Sequence, residues 1–116
     1  MQQVCENYPM ILKVTIDEKT FSLRVDHEMT QDAQDIFQKM DSDMDRGWQM
    51  SRTWVDCPND LQRCQIAADK MLTAIQQERT ATVGLMAAYI VDRMPGIQAL
   101  DIDTSGDMTL TELVMS

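Results

Sequence analysis

An α+β domain is the fold class this sequence predicts, and three observations predict it. Two alternating apolar runs, Leu12-Val14-Ile16 and Phe21-Leu23-Val25, flank a short polar turn, Asp17 to Thr20, which is the pattern of a β-hairpin with one buried face. From about residue 30 to residue 94 the apolar residues recur instead at helical spacing. Past Pro95-Gly96, alternation returns around an Asp-rich stretch. The expected architecture is an N-terminal β-hairpin, a three-helix antiparallel bundle, and a C-terminal segment that forms either a second hairpin or a cation-binding loop. One domain over residues 10–116 is expected, with residues 1–9 a loose leader.

The hairpin is marginal alone, so its apolar face needs a cover. The nearest candidate is the segment 30–56, read as one long amphipathic helix. At 100° per residue, Met29, Ala33, Ile36, Phe37, Met40, Met44, Gly47, Trp48, Ser51, Trp54 and Val55 fall in a wedge about 120° wide. Asp32, Asp35, Lys39, Asp43, Asp45, Arg46 and Gln49 lie opposite. Thr30 is the expected N-cap, with Asp32 in the first turn where negative charge suits the helix dipole. Asp35–Lys39 and Lys39–Asp43 are opposite charges four apart. Gly47, on the apolar side, costs a helix about 1 kcal/mol relative to Ala, to be offset by close packing.

Asp56-Cys57-Pro58-Asn59 breaks the chain, and Asn59 or Asp60 caps a second helix to about Gln77. Its stripe is Leu61, Cys64, Ala68, Met71, Leu72 and Ile75. After a break at Arg79-Thr80, a third helix over about 80–94 is apolar nearly all round, as a helix buried on several sides is. Pro95-Gly96 ends it.

Composition narrows the function. The net charge of −9 argues against nucleic acid, whose phosphates require clustered Lys and Arg, and against anionic membrane surfaces. It permits cations or a basic protein surface as partners. The longest apolar run, Val83 to Val91, is too short to span a bilayer. Glu6 and Pro9 interrupt a start without a basic lead, so no secretory signal is expected. Cys5, Cys57 and Cys64 have no close-pair spacing and read as free thiols of a reducing, cytoplasmic setting. The eleven methionines read as adaptable core filler, with a Met-rich partner surface as the alternative.

The tail from Asp101 to Glu112 reads Asp-Ile-Asp-Thr-Ser-Gly-Asp-Met-Thr-Leu-Thr-Glu, followed by Leu113. Over these residues it resembles the calcium-binding loop of an EF-hand. The resemblance implies side-chain ligands from Asp101, Asp103 and Ser105, a backbone carbonyl from Asp107, Thr109 directly or through water, and a bidentate Glu112. Gly106 would permit the bend and Met108 anchor the loop. The surroundings depart from the family: Pro95-Gly96 stops the entering helix early, the exit helix is short, and no second loop completes a pair. Asp41, Asp43 and Asp45 imitate three ligands, but Arg46 and Arg52 occupy the Gly and Glu positions. A lone loop of this kind belongs to the ~10⁻⁴–10⁻³ M affinity class. The structural alternative is a hairpin, with Leu100, Ile102, Met108 and Leu110 alternating across Thr104–Asp107 and joining residues 11–25 in a three- or four-stranded sheet.

Catalytic signals are weak. His27, between Asp26 and Glu28, reads as a solvated strand-to-helix junction residue. No carboxylate sits in an apolar setting that would raise its pKa, and the glycines are isolated, without a phosphate loop. The expected function is that of a non-enzymatic interaction or structural domain. Asp35, Asp43 and Asp45 are its partner face, because Lys39 is the sole base amid seven acids from Asp26 to Asp45. Calcium binding through residues 101–112 is the alternative.

Overall fold

The computed structural model describes residues 10–115; the leader 1–9, with Cys5, lies outside them. Strands β1 (Met10–Ile16) and β2 (Lys19–Val25) form the expected hairpin, in register from Met10 opposite Val25 to Ile16 opposite Lys19. The turn is tighter than expected, only Asp17-Glu18, with Asp17 at φ 58°. Asp is among the few non-glycine residues that tolerate this left-handed conformation.

The C-terminal segment adds the strands β5 (Ile97–Ile102) and β6 (Glu112–Met115), completing a four-stranded sheet in the order β2-β1-β5-β6. Strand β5 runs parallel to β1, whereas β6 is antiparallel to β5. Parallel neighbours require a long crossover, and the helical region supplies it. One sheet face is buried through Leu12, Val14, Val25, Ile97, Leu100 and Ile102.

Segment 30–56 is not one helix. It divides into α1 (His27–Asp32), α2 (Gln34–Asp45) and a small antiparallel hairpin of β3 (Trp48–Met50) and β4 (Thr53–Val55). Asp26, not Thr30, is the N-cap of α1; Thr30 is buried inside it. The division at α2's end has a physical cause. Gly47 takes φ +100° and is followed by Trp48, Thr53, Trp54 and Val55, residues that favour strands. Ser51 turns the small hairpin at φ 59°. A wedge count registers which residues are apolar but not where the backbone leaves the helix. Ala33, Phe37 and Met44 are buried as expected, whereas Ile36 is 46% and Trp54 56% exposed.

Helices α3 (Asp60–Gln76) and α4 (Thr80–Arg93) match expectation closely. Asn59 caps α3 by accepting from the Gln62 amide at 2.8 Å, while the Gln62 side-chain oxygen accepts from the Asn59 amide at 2.9 Å. Glu78, at φ 58°, makes the sharp corner between the helices. Helix α4 lies along β2 and β1, and α3 along β5. These two, not the central helix, cover the sheet.

Candidate functional site

The surface expected to meet a partner is carried by α2, and α2 is held by a group of charges that the wedge count did not single out. Asp41 projects from α2 towards α3 and α4. Its carboxylate accepts from the Tyr89 hydroxyl at 2.5 Å, from Arg93 Nη2 at 2.6 Å and from Arg63 Nη1 at 3.3 Å. Arg63 also donates to Asp45 at 2.5 Å, and Arg93 to Asp92. The Arg93 guanidinium lies 5.0 Å from the Tyr89 ring centroid and 5.6 Å from that of Phe37. Phe37 and Tyr89 meet edge to face, their centroids 5.4 Å apart, a favoured aromatic arrangement.

Burial by itself would raise the Asp41 carboxyl, but the bonds from Tyr89, Arg93 and Arg63 outweigh it and hold the group below its ordinary 3.8. Burial, with Asp41 alongside, pushes the Tyr89 phenol up. Such mutual shifts mark a carboxylate that stays ionised and a phenol that stays neutral. The arrangement fastens α2; it leaves no free acid or base. The sequence signal is Asp41 on the border of the apolar wedge, with Arg93 at the end of a helix whose only other charge is Asp92.

Of the expected partner face, Asp35 and Asp43 are exposed and make no ion pair among the described residues, and Lys39 pairs with neither of them. Asp45 is turned partly inward to Arg63, although its side chain remains 61% exposed. Asp32, at the end of α1, extends the same acidic surface.

The Asp101–Glu112 segment forms the connection between β5 and β6. Asp101 and Glu112 sit directly opposite each other on the two strands, where like charges repel. The carboxylate of Asp103 faces its own loop. It accepts from the Ser105 amide at 2.9 Å, the Ser105 hydroxyl at 2.5 Å and the Asp107 amide at 3.3 Å. The Ser105 hydroxyl, foremost, and these amides lower its pKa. Asp107 likewise accepts from the Thr109 amide and hydroxyl, capping a single 3-10 turn at Met108–Leu110. Gln65 of α3 donates to the carbonyls of Thr109 at 3.2 Å and Thr111 at 3.0 Å.

The Ser51 hydroxyl, at the tip of the small hairpin, donates to the Gly106 carbonyl at 3.2 Å and accepts from the Met108 amide at 3.0 Å. The loop is thus braced from two sides. Asp17, Asp101, Asp103 and Glu112 line a shallow cavity of about 360 Å³ at this end of the sheet. Among the described residues no three His, Cys, Asp or Glu side chains are grouped to hold a metal ion. The donors named by the EF-hand resemblance lie along β5, the connecting turn and the start of β6.

The remaining candidates stay apart. His27 begins α1, half-buried. Cys57 is exposed ahead of α3 and Cys64 is buried within it, both as free thiols; burial pushes the Cys64 thiol up to about 12. No helix of the described residues is long and apolar enough to cross a membrane. No protein-family model, no curated protein and no solved structure matches this chain.

Proposed function

We propose that this chain is a non-enzymatic interaction domain that receives a basic protein surface on the flank formed by α1 and α2. The observation carrying this reading is the division of labour among the acids of α2. Asp41 fastens the helix to two arginines and a tyrosine, and Asp45 is half engaged, while Asp35 and Asp43 face water with no ion pair among the described residues. A rigid helix that presents unpaired carboxylates spends little entropy on ordering when a partner arrives. Charge at such a rim chiefly sets partner choice and the rate of encounter.

Retention of proteins from a lysate by the immobilised domain tests this, at low and at moderate salt, beside the double variant Asp35→Asn/Asp43→Asn. A basic partner held by the unaltered chain at low salt, weakened by salt and lost by the variant, is the expected result. Equal retention by both proteins, or none at either salt, overturns it.

A second reading is calcium binding through residues 101–112, and the four carboxylates around the cavity beside β5 and β6 favour it. Binding would draw Asp101, Asp103 and Glu112 together and exchange the Asp103 loop bonds for metal bonds. Calcium titration monitored at the Gly106 amide tests it, with Glu112→Gln as control. An unmoved resonance at millimolar calcium rules this reading out.

A further inference from the structure

The basic side of the molecule points to a second and different interaction. Strand β2 is an outer strand of the sheet, with nothing among the described residues paired to its far edge. Because Lys19 closes a two-residue turn on Ile16, alternation along the ladder directs the backbone N–H and C=O groups of Thr20, Ser22 and Arg24 outward. Beneath that edge, on the face the helices cover, the cover is incomplete. Phe21 remains 40% exposed. A groove of about 450 Å³ runs between Phe21 and Leu23 of β2, Ala74 and Ile75 of α3, and Val83 and Gly84 of α4.

Charge on these two strands runs against that of the chain. Strands β1 and β2 contain Lys13, Lys19 and Arg24 and no acid. Arg24 and Arg79 stand at the groove's rim with Glu78 as the one acid there. Among the described residues Arg79 makes no ion pair and Arg24 only an exposed contact with Asp26 at 2.9 Å, the kind of pair that is easily exchanged.

We propose that β2 accepts an added strand: an extended segment of a partner protein in which apolar residues alternate with acidic ones. Its backbone would pair with Thr20, Ser22 and Arg24. Alternate apolar side chains would enter the groove beside Phe21 and Leu23, and its acids would alternate to the opposite face beside Arg24, with Lys13 one strand further in. Strand addition of this kind takes affinity from backbone bonds and specificity from pockets for alternate side chains. A second copy of this chain is the wrong occupant, since pairing β2 with β2 brings together two edges that each carry Lys19 and Arg24 and no acid; edge lysines and arginines act against such self-pairing.

The test uses the full chain and a synthetic peptide of about ten residues, Val and Ile alternating with Asp and Thr, the span of one strand. Saturable binding is expected, with slowed hydrogen exchange at the Thr20, Ser22 and Arg24 amides. The same peptide N-methylated at the amides facing β2 should bind at least about tenfold more weakly, as should a version with Lys for Asp. Ser22→Pro, which removes only an outward N–H, should weaken binding while leaving the melting temperature within a few degrees. Arg24→Glu should weaken it without altering the strand. Equal binding of the N-methylated peptide would mean that the occupant is not a strand. Equal binding of the Lys peptide would remove the charge argument, and no saturation at millimolar peptide would remove the site; each of these outcomes overturns the proposal.

Discussion

Two acidic regions of this molecule use their carboxylates in opposite ways. In α2, Asp41 is one-quarter exposed and stands among Tyr89, Arg93 and Arg63, so that each neighbour gains from its charge. At the end of β5 and β6, Asp17, Asp101, Asp103 and Glu112 gather without any ion pair to Lys or Arg among the described residues. The difference lies in water and donors. Where solvent is partly excluded and donors converge, a carboxylate binds the fold together. Where solvent remains, the same group costs little and is left for a ligand or for nothing.

The largest effect that sharpens this contrast is at Asp41. Asp41→Asn keeps the shape but removes the charge that Arg63 and Arg93 were placed to meet. The expected loss is about 2 kcal/mol, below the range for fully buried pairs because some solvent reaches the site. Asp101→Asn should change stability by less than about 0.5 kcal/mol. Denaturant unfolding of both variants checks the pair, and equal losses would erase the distinction.

The same residue sets a pH dependence. The folded pKa of Asp41 lies below 3.8, so its contribution is full above the unfolded value and is lost as pH falls through the lowered one. The acid limb of the stability curve should therefore flatten in Asp41→Asn. Tyr89 acts at the other end: its phenol is raised above 10, and its contribution declines as pH climbs past 10 towards the raised value.

A second contrast concerns two glycines in left-handed backbone, Gly47 at φ +100° and Gly106 at φ +99°. A Cβ at Gly47 would run into the Trp54 ring, whereas one at Gly106 would meet open space. Gly106→Ala bears the backbone strain alone, about 1 kcal/mol. Gly47→Ala should cost about 2 kcal/mol and alter tryptophan fluorescence, since Trp54 has to move. Similar losses with unchanged fluorescence would show that Trp54 does not obstruct a side chain at position 47.

These two glycines also show how far the residues could be read before the fold was known. Helices α3 and α4 were legible because their signals agree: Asn59 caps, the stripe through Cys64, Ala68 and Met71 is buried, and Pro95-Gly96 follows α4's end. Segment 30–56 is not legible in the same way because its signals conflict. The apolar residues of β3 and β4 happen to continue the helical wedge, and Gly47 admits both a packed helix and a helix-ending turn. The Asp41 contacts with Tyr89 and Arg93 span 48 and 52 positions, a separation no local pattern reports. Of the candidate partner face, Asp35 and Asp43 could be placed from helical period alone, but Asp45's bond to Arg63 could not. The four-stranded sheet was among the alternatives for the tail, because alternation at Leu100 and Ile102 signalled a strand. Its parallel pairing to β1 follows from the crossover, which only the tertiary structure reveals.

The smallest predicted effect falls where the two acidic regions differ most. Asp101 and Glu112 oppose each other across the β5–β6 ladder, so Glu112→Gln removes a like-charge repulsion and leaves a side chain of nearly the same size. Without calcium the variant should be more stable than the unaltered chain by about 0.3 kcal/mol at low ionic strength, and the gain should shrink as salt screens the pair. If residues 101–112 bind calcium, adding millimolar metal should stabilise only the unaltered chain, by mass action on its folded state. The order of stabilities would then invert, because the carboxylate that repels Asp101 in the absence of metal would be sharing a cation with it. Thermal unfolding of both proteins with calcium and with chelator therefore separates a ligand site from an electrostatic blemish: inversion belongs to the first, and an order indifferent to calcium belongs to the second.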